Sequence, residues 1–295
     1  MSCMELRHIR YFLALVEERN FTRAAVRVGI AQSPFSAQIR DLEHEVEAQL
    51  FHRVPHGAEL TAAGQAFLEV VKVMPGLAEK GAHAAQRASR GEIGSLNIGF
   101  TASSAFNAVV PNAIRSFRRA YPDVLVTLEE ANTTRLVEGL EEGTLDAVFL
   151  RPGATGIENV QMRHLSEEPL VIALPASHLA ASLHQVALTA LAADPVLLFP
   201  RPVGPTLYDT IIRAFRNAGV EPVLGQAAPQ LASVINLVAA ALGVTLVPAS
   251  MAQLAVAGVV YRAIAGDAPV AQIALATRRG ETNAIVRNFA ARAVS

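Results

Sequence analysis

Gly29 stands between two short helical stripes, and this arrangement leaves the N-terminal segment few ways to fold. Before it, Asn20 is a good N-cap, and Phe21, Ala24, Ala25 and Val28 repeat at helical spacing as one inner face. Gly29 itself falls where a helix ends in the left-handed conformation. After it, Ile30-Ala31-Gln32-Ser33-Pro34 opens a further helix, with Ser33 as N-cap and Pro34 at the first helical position. That helix runs on through Phe35, Ile39, Leu42 and Val46, and the small alanines of its predecessor let the two cross closely. An amphipathic helix precedes both, built on Leu6, Ile9, Leu13 and Val16 and widened by Phe12 and Leu15. Two short helices joined by a tight glycine turn are a helix-turn-helix.

The spacing places Gln32, Ser33, Ser36, Gln38 and Arg40 on the exposed face of the later helix. Short polar groups and one cation suit base edges and phosphates. An ordinary helical bundle satisfies the same spacing, so spacing alone leaves both readings open. Residues 50–60 read as a short hairpin or wing, from which Arg53 reaches a phosphate. His52 and His56 have no further metal ligands nearby and are read as solvated. Thr61 then opens a helical stretch over 62–90, rich in Ala, Val and Leu. With no globular partner of its own, it suits a dimerising linker helix, and Pro75-Gly76 predicts a bend or break in it.

A formal charge of −1 is low for a nucleic-acid binder. Only the DNA-facing surface needs to be positive, however, if most of the chain is a neutral sensor. With 295 residues, 52% hydrophobic and 17% charged, the chain is long enough for more than one packed domain. The single cysteine, Cys3, excludes an internal disulfide, a cysteine-rich zinc module and a two-cysteine redox switch within the chain. Charges at Glu5, Arg7 and Arg10 leave no secretory apolar region. No run reaches the ~18 apolar residues of a membrane span, so a soluble, cytoplasmic protein is expected.

From Gly91 the pattern changes to alternating strands and helices. Strands are expected at 96–100, 124–128, 145–150, 170–174, 196–199, 223–227, 245–247 and 270–276. Helices are expected through Val109, Ile114 and Phe117, and at 133–142, 206–217, 230–242 and 281–293, with Gly143, Gly219 and Gly243 as terminators. Such alternation predicts a parallel-rich α/β sheet. In these folds ligands bind beyond the carboxyl ends of strands. Two such ends carry Thr101-Ala102-Ser103-Ser104 and Asn132-Thr133-Thr134 at helix N-termini, and Arg151 follows a third. Free N–H groups, hydroxyls and a cation would hold a carboxylate. The plainer reading is that Ser and Thr are ordinary helix caps and Arg151 a surface ion-pair member. An enzyme is disfavoured: there is no G-x-S-x-G, P-loop or G-x-G-x-x-G, and His164, His178 and His184 lack metal-ligand spacing. No catalytic residue, metal or cofactor is therefore expected. A solute-binding protein would need a signal peptide and would not carry the helix-turn-helix.

An ordered set of motifs resembles the LysR-type transcriptional regulators. It comprises Phe21-Thr22-Arg23-Ala24-Ala25, Gln32-Ser33-Pro34-Phe35-Ser36-Ala37-Gln38-Ile39, Leu42-Glu43, Leu50-Phe51-His52-Arg53 and Leu60-Thr61-Ala62-Ala63-Gly64. The resemblance implies an α/β multidomain protein. Its parts are a winged helix-turn-helix over 1–60, a dimerising linker helix over 61–90, and an effector domain over 91–295 like periplasmic solute-binding proteins. The effector domain has two lobes, about 91–163 with 267–295 and about 164–266. The resemblance also implies a dimer assembling to a tetramer, double-stranded operator DNA and a small-molecule effector as partners, and RNA polymerase where the protein activates. The resemblance places DNA contacts on Gln32, Ser33, Pro34, Ser36 and Arg53, to which the helix spacing adds Arg40, while Ala37 occupies a commonly basic position. Leu197-Leu198-Phe199-Pro200-Arg201, Asn217-Ala218-Gly219-Val220-Glu221-Pro222 and Gly243–Ser250 are similar to the subgroup controlling benzoate, catechol and chlorocatechol degradation. That likeness implies an aromatic or muconate-like acid held by Ser103, Thr133, Arg151, Pro205 and Leu207, the last where some members have an aromatic residue.

Overall fold

In the computed structural model, which describes residues 4–55, 57–153 and 158–294, the first apolar stripe is helix α1 (Leu6–Glu18). Cys3 and His56 lie outside the described residues. Helices α2 (Phe21–Arg27) and α3 (Gln32–Glu45) follow, then a hairpin of β1 (Phe51–Val54) and β2 (Gly57–Leu60). Helices α4 (Ala62–Val71) and α5 (Met74–Ser89) complete the N-terminal part. The chain divides into two compact units, Met1–Gln86 and Arg87–Ser295.

Phe12 is the centre of the first unit. It is fully buried, 4.9 Å from Phe67 in an edge-on pair and 5.2 Å from Phe51. Ala24 and Ala25 are buried against it, and their small size lets α1 and α3 close over α2. The Asn20 side chain accepts from the N–H groups of Thr22 and Arg23, and Gly29 takes φ +77° after α2, as the sequence predicts. The start of α3 differs. It begins at Gln32, with Ala31 as cap residue and no side-chain cap, instead of at Pro34 with Ser33 as cap. Pro34 is therefore the third helical residue, and it is tolerated because first-turn N–H groups have no intrahelical acceptor.

The Glu43 carboxylate accepts from the N–H groups of Leu50 and Phe51 at 2.8 and 3.1 Å, which ties α3 to the hairpin. Thr61 caps α4 by accepting from Gly64 N–H and donates to the Gln49 carbonyl. Gly64 passes so close to the hairpin that a Cβ there would lie 2.1 Å from the Leu50 carbonyl oxygen. The stretch expected to lack a globular partner therefore has one: Val71 of α4 is buried in this core, with Phe67 and Leu68 packed against it. Within this stretch α5 has no buried residue among those described. The expected break in the helix falls at Lys72 and Val73, just ahead of Pro75. Pro75 has no N–H for the Val71 carbonyl, so the helix restarts with the proline in its first turn.

The second unit contains β3 (Gly94–Phe100), α6 (Ala102–Ala105), α7 (Val109–Ala120), β4 (Val124–Glu130), α8 (Thr133–Glu142), β5 (Ala147–Leu150) and β6 (Val160–Pro175). These are followed by β7 (Gln185–Val186), β8 (Val196–Leu198), α9 (Pro205–Asn217), β9 (Leu224–Ala227) and α10 (Leu231–Ala239). It ends with β10 (Thr245–Pro248), β11 (Val259–Ile264), β12 (Val270–Arg278) and α11 (Ala284–Ala293). The sheet order is β4-β3-β5-β12-β6-β11-β7, with β10 also on β6 and β8 paired separately with β9. Pairs β3–β4, β3–β5, β7–β11 and β8–β9 are parallel, but every pair made by β6 and every pair made by β12 is antiparallel. The sheet is thus mixed rather than parallel-rich. Strands β11 and β12 run in the same direction, one after the other, antiparallel to the second and then the first half of β6.

Strand β6 changes partners along its length. Val160 to Pro169 pair with β12, and Leu170 onward pair with β10 and β11. Its two halves thereby serve two lobes with separate cores. One is built on Phe117, Phe149 and Phe289, whose rings meet edge-on, and the other on Phe215, Ile235 and Leu246. The strand crosses between lobes at Pro169 and Leu170, later than the 163/164 boundary expected from the sequence. Gly219 ends α9 with φ +78°, as expected. Gly243 does not end α10, because Ala241 takes the left-handed conformation instead. What requires Gly243 is close approach: a Cβ there would lie 2.1 Å from the Pro195 carbonyl oxygen.

Gly64→Ala is expected to cost the N-terminal unit about 1–3 kcal/mol in urea denaturation, because backbone must shift to admit the methyl. Gly81→Ala, on α5 with nothing within 4 Å, should be neutral or stabilise by up to about 1 kcal/mol. Equal effects of the two substitutions would refute the packing role of Gly64.

Candidate functional site

The opening of α3 is a polar, exposed surface. Gln32, Ser33 and Pro34 are exposed in its first turn, and Arg40 is exposed further along. A helix N-terminus with free N–H groups favours a phosphate. Ser36 departs from the sequence reading, being 7% exposed, with its Oγ accepting from Gln32 Nε2 at 3.1 Å. Because α3 starts at Gln32, Ser36 lies one turn below it and orients the glutamine instead of facing out. Gln38 is half-buried, its Nε2 donating to Asp41, and Ala37 is half-buried beside it. Arg53 is exposed on β1 with its guanidinium carbon 5.1 Å from the Phe21 ring centroid, a cation–π contact that holds the stem and leaves N–H groups free. On α2, Arg23 and Arg27 are paired with Glu17 and Glu18. Among the described residues Arg40 and Arg53 have no ion-pair partner, so positive charge is left on α3 and on the hairpin although the chain as a whole is near neutral.

A second site lies between the lobes of the other unit. A cleft of about 350 Å³ is lined by Thr101–Ser103 after β3 and by Glu130–Thr133 and Arg135 after β4. From the other lobe come Phe199, Val203, Gly204, Thr206 and Leu207, together with Pro229–Leu231. The sequence marks helix N-termini at Thr101–Ser104 and Asn132–Thr134, and the cleft also receives those of α9 and α10. Asn132 caps α8 by accepting from Arg135 N–H, but α9 and α10 have no side-chain cap. Their first-turn N–H groups therefore have no side-chain acceptor at the helix ends that meet the cleft. Thr133 is half-buried and Leu207 buried, both lining the cleft. Pro205 opens α9 but is not among the lining residues, which are Gly204 and Thr206 on either side of it. Ser104 is fully buried and donates to the Thr101 carbonyl, a structural role.

Arg151 is 5% exposed and its charge is compensated, unlike the open cation or surface ion-pair member that the sequence suggests. Its Nε donates to Ser103 Oγ at 3.0 Å, and one terminal nitrogen donates to the Ser103 carbonyl at 2.9 Å and to Glu168 at 3.0 Å. The other Glu168 oxygen accepts from Ser250 N–H at 2.7 Å. Since Ser103 Oγ accepts from Arg151, its own proton is free to donate. Burial pushes the Arg151 guanidinium below its ordinary pKa, against the opposing pull of Glu168. Burial also works to raise Glu168, but Ser250 N–H and Arg151 outweigh it, and the carboxyl is held below the usual range. Glu168 was missed from sequence because the residues around it, Ser166-Glu167-Glu168-Pro169, include, apart from the proline, no apolar side chain that would mark a strand. Arg135 was missed as well; it pairs with Glu142 at 3.3 Å at the edge of the cleft.

Residues 6–65 match the profile of the bacterial regulatory helix-turn-helix proteins of the lysR family, and residues 89–294 match the LysR substrate binding domain. The chain belongs to the LysR family of transcriptional regulators. It is 37% identical to the uncharacterized HTH-type transcriptional regulator YnfL of Escherichia coli (strain K12), over 97% of this chain and 96% of that protein. It is 35% identical to the HTH-type transcriptional regulator BudR of Raoultella terrigena, over 97% and 99%. Among solved structures, it is similar to full-length CbnR complexed with its target DNA, with TM-score 0.84, 28% identity and 98% of both chains covered. This LysR-family chain is thus a DNA-binding regulator with an effector-binding domain, and not an enzyme. The relatives are not confined to the benzoate and catechol subgroup, so the likeness supports the LysR family and no narrower group. No helix among the described residues is long and apolar enough to cross a membrane.

Removing one partner of a buried ion pair strands the other. Arg151→Ala should therefore cost about 3–5 kcal/mol of stability, with much of it recovered in Arg151→Met/Glu168→Leu. Because the folded-state pKa of Glu168 is depressed, its contribution is present above the unfolded carboxylate value near ~4.3 and is lost as pH falls through the folded value. Acid denaturation of Glu168→Gln should accordingly be shallower than wild type below about pH 4. Superimposable acid limbs would reject a charged Glu168.

Proposed function

We propose that this regulator senses a small organic anion with an apolar body, an aromatic or muconate-like carboxylate, and that occupancy of the cleft modulates operator binding or activation. One observation carries the reading. The uncapped N-termini of α9 and α10, the start of α8 and the free hydroxyl proton of Ser103 meet on a cleft walled by Phe199, Val203, Leu207 and Leu231. Helix N-termini stabilise a carboxylate, and the apolar wall takes the rest of the molecule. Ser103 and Thr133 donate to the carboxylate. Arg151 aligns Ser103, Pro205 fixes the start of α9, and Leu207 shapes the wall.

In this reading Gln32, Ser33 and Pro34 read and position DNA, Ser36 sets the Gln32 rotamer, and Arg40 and Arg53 hold phosphates. Residues 61–90 link the domains and pair subunits through the unburied face of α5, where Leu77 is 58% exposed. Two dimers then span separated half-sites as a homotetramer in the cytoplasm, with RNA polymerase as partner where the protein activates.

Gln32→Ala should weaken specific operator binding by about 1–3 kcal/mol in gel shifts at fixed salt, and Ser36→Ala by less. Operator affinity unchanged in Gln32→Ala would reject this role for α3. A thermal-shift screen of small carboxylates on the whole protein should yield at least one that raises the melting temperature. For that acid, Ser103→Ala and Thr133→Val should each weaken binding about ten- to a hundredfold, at about 1.5–3 kcal/mol per charge-assisted hydrogen bond, without altering operator affinity. A ligand bound equally by wild type and both variants would lie elsewhere.

A further inference from the structure

Away from the cleft, three guanidinium groups meet at the seam between α7 and α11. Arg115 and Arg119 stand one turn apart on α7, and Arg292 comes from the last turn of α11. With Asn112, Ser116 and Ala120 they line a surface pocket of about 470 Å³ that contains no acidic side chain. All three arginines are exposed. Among the described residues none has a carboxylate within ion-pair distance, and Asp123 nearby is engaged by Arg87. Arg115 donates to Asn112 Oδ1 at 3.4 Å, and Arg292 lies 5.7 Å from the Tyr121 ring centroid. These contacts steady two of the groups without neutralising them.

Helix C-termini attract cations, and both helices place arginines in their last turns. Two C-termini together supply about one negative charge, against three positive ones. About two positive charges are left over. Composition does not explain the surplus, since acidic residues outnumber Lys and Arg in the chain, 26 to 25. Elsewhere in the same unit Arg90, Arg201 and Arg216 are paired with Glu92, Asp209 and Glu221, and the exposed arginines without an ion pair among the described residues, such as Arg163, Arg213 and Arg279, do not line this pocket.

We propose that this pocket binds the phosphoryl group of a small anionic metabolite, at a site separate from the effector cleft. Guanidinium forks match the terminal oxygens of a tetrahedral oxyanion, and the charge of a dianion matches the surplus. The Ser116 hydroxyl and the Asn112 amide add neutral donors. A carboxylate would occupy one fork and leave the others uncompensated.

The test is calorimetric titration of the full chain with pyrophosphate and inorganic phosphate at constant ionic strength, with acetate as control. Saturable binding of pyrophosphate and phosphate, with no saturation by acetate, is expected. Arg119→Gln should weaken it about tenfold, and Arg115→Gln/Arg292→Gln about a hundredfold, while Arg163→Gln, at an exposed arginine elsewhere in the unit, leaves it unchanged. Phosphate binding that is unsaturable, or undiminished in the α7 and α11 variants, overturns the proposal. So does absence of phosphate binding by wild type together with variants that alter sedimentation or the salt dependence of operator binding, since the arginines would then face another subunit or DNA.

Discussion

Strand β6 is the constraint on which the sensor unit depends. One continuous strand of sixteen residues supplies a ladder to each lobe, pairing with β12 in its first half and with β10 and β11 in its second. It contributes Leu170, Ile172, Ala173 and Leu174 to the core of the second lobe and packs Leu165 against that of the first, and the cleft lies between the two. Glu168 stands just before the crossing and binds Arg151 from one lobe and Ser250 from the other. A buried carboxylate with partners on both sides of a crossing couples the lobes through a charge that neither can abandon cheaply. The same pair holds Ser103 at the cleft wall, so the binding surface and the lobe junction share one network.

The DNA-binding unit is organised differently, around size. Phe12 fills the space between α1, the hairpin and α4, and small residues let the backbones come near it: Ala24 and Ala25 under α3, and Gly64 against the Leu50 carbonyl. Glu43 ties α3 to the hairpin, so α3 and Arg53 share one frame. Charge is distributed to the same end. Arg23 and Arg27 are paired with Glu17 and Glu18, while among the described residues Arg40 and Arg53 have no ion-pair partner, so a near-neutral chain keeps local positive charge in this unit.

Much of this was legible in the residues because local rules act within a few positions. Asn20, Gly29, Thr61, Gly143 and Gly219 punctuate helices where capping chemistry says they should. The misses share a cause. Ser33 as a cap, Ser36 as an outward group and Gly243 as a terminator each have a sound local reading, and each was displaced by a contact the sequence does not show. The start of α3 is set by packing of Phe35 and Ile39 against α1 and α2, and Gly243 by the passing backbone of Pro195. Strand β11 did carry a signal in Val259-Val260-Tyr261 and the start of β6 a short one in Val160-Gln161-Met162-Arg163, whereas the stretch around Glu168 carried none.

The sequence by itself determined the helix-turn-helix, the strands and helices of the sensor, and the hydroxyls at the starts of α6 and α8. Periodicity and capping depend only on neighbours along the chain. Tertiary structure alone decided which helix ends face one another. It brought the starts of α9 and α10 across to Ser103 and Thr133, and it matched Arg151 with Glu168 seventeen positions away. Whether a charge is free or compensated depends on what the fold places within a few ångströms of it. Sequence spacing carries no such distance, and so Arg151 looked like an open cation until the fold supplied its partner.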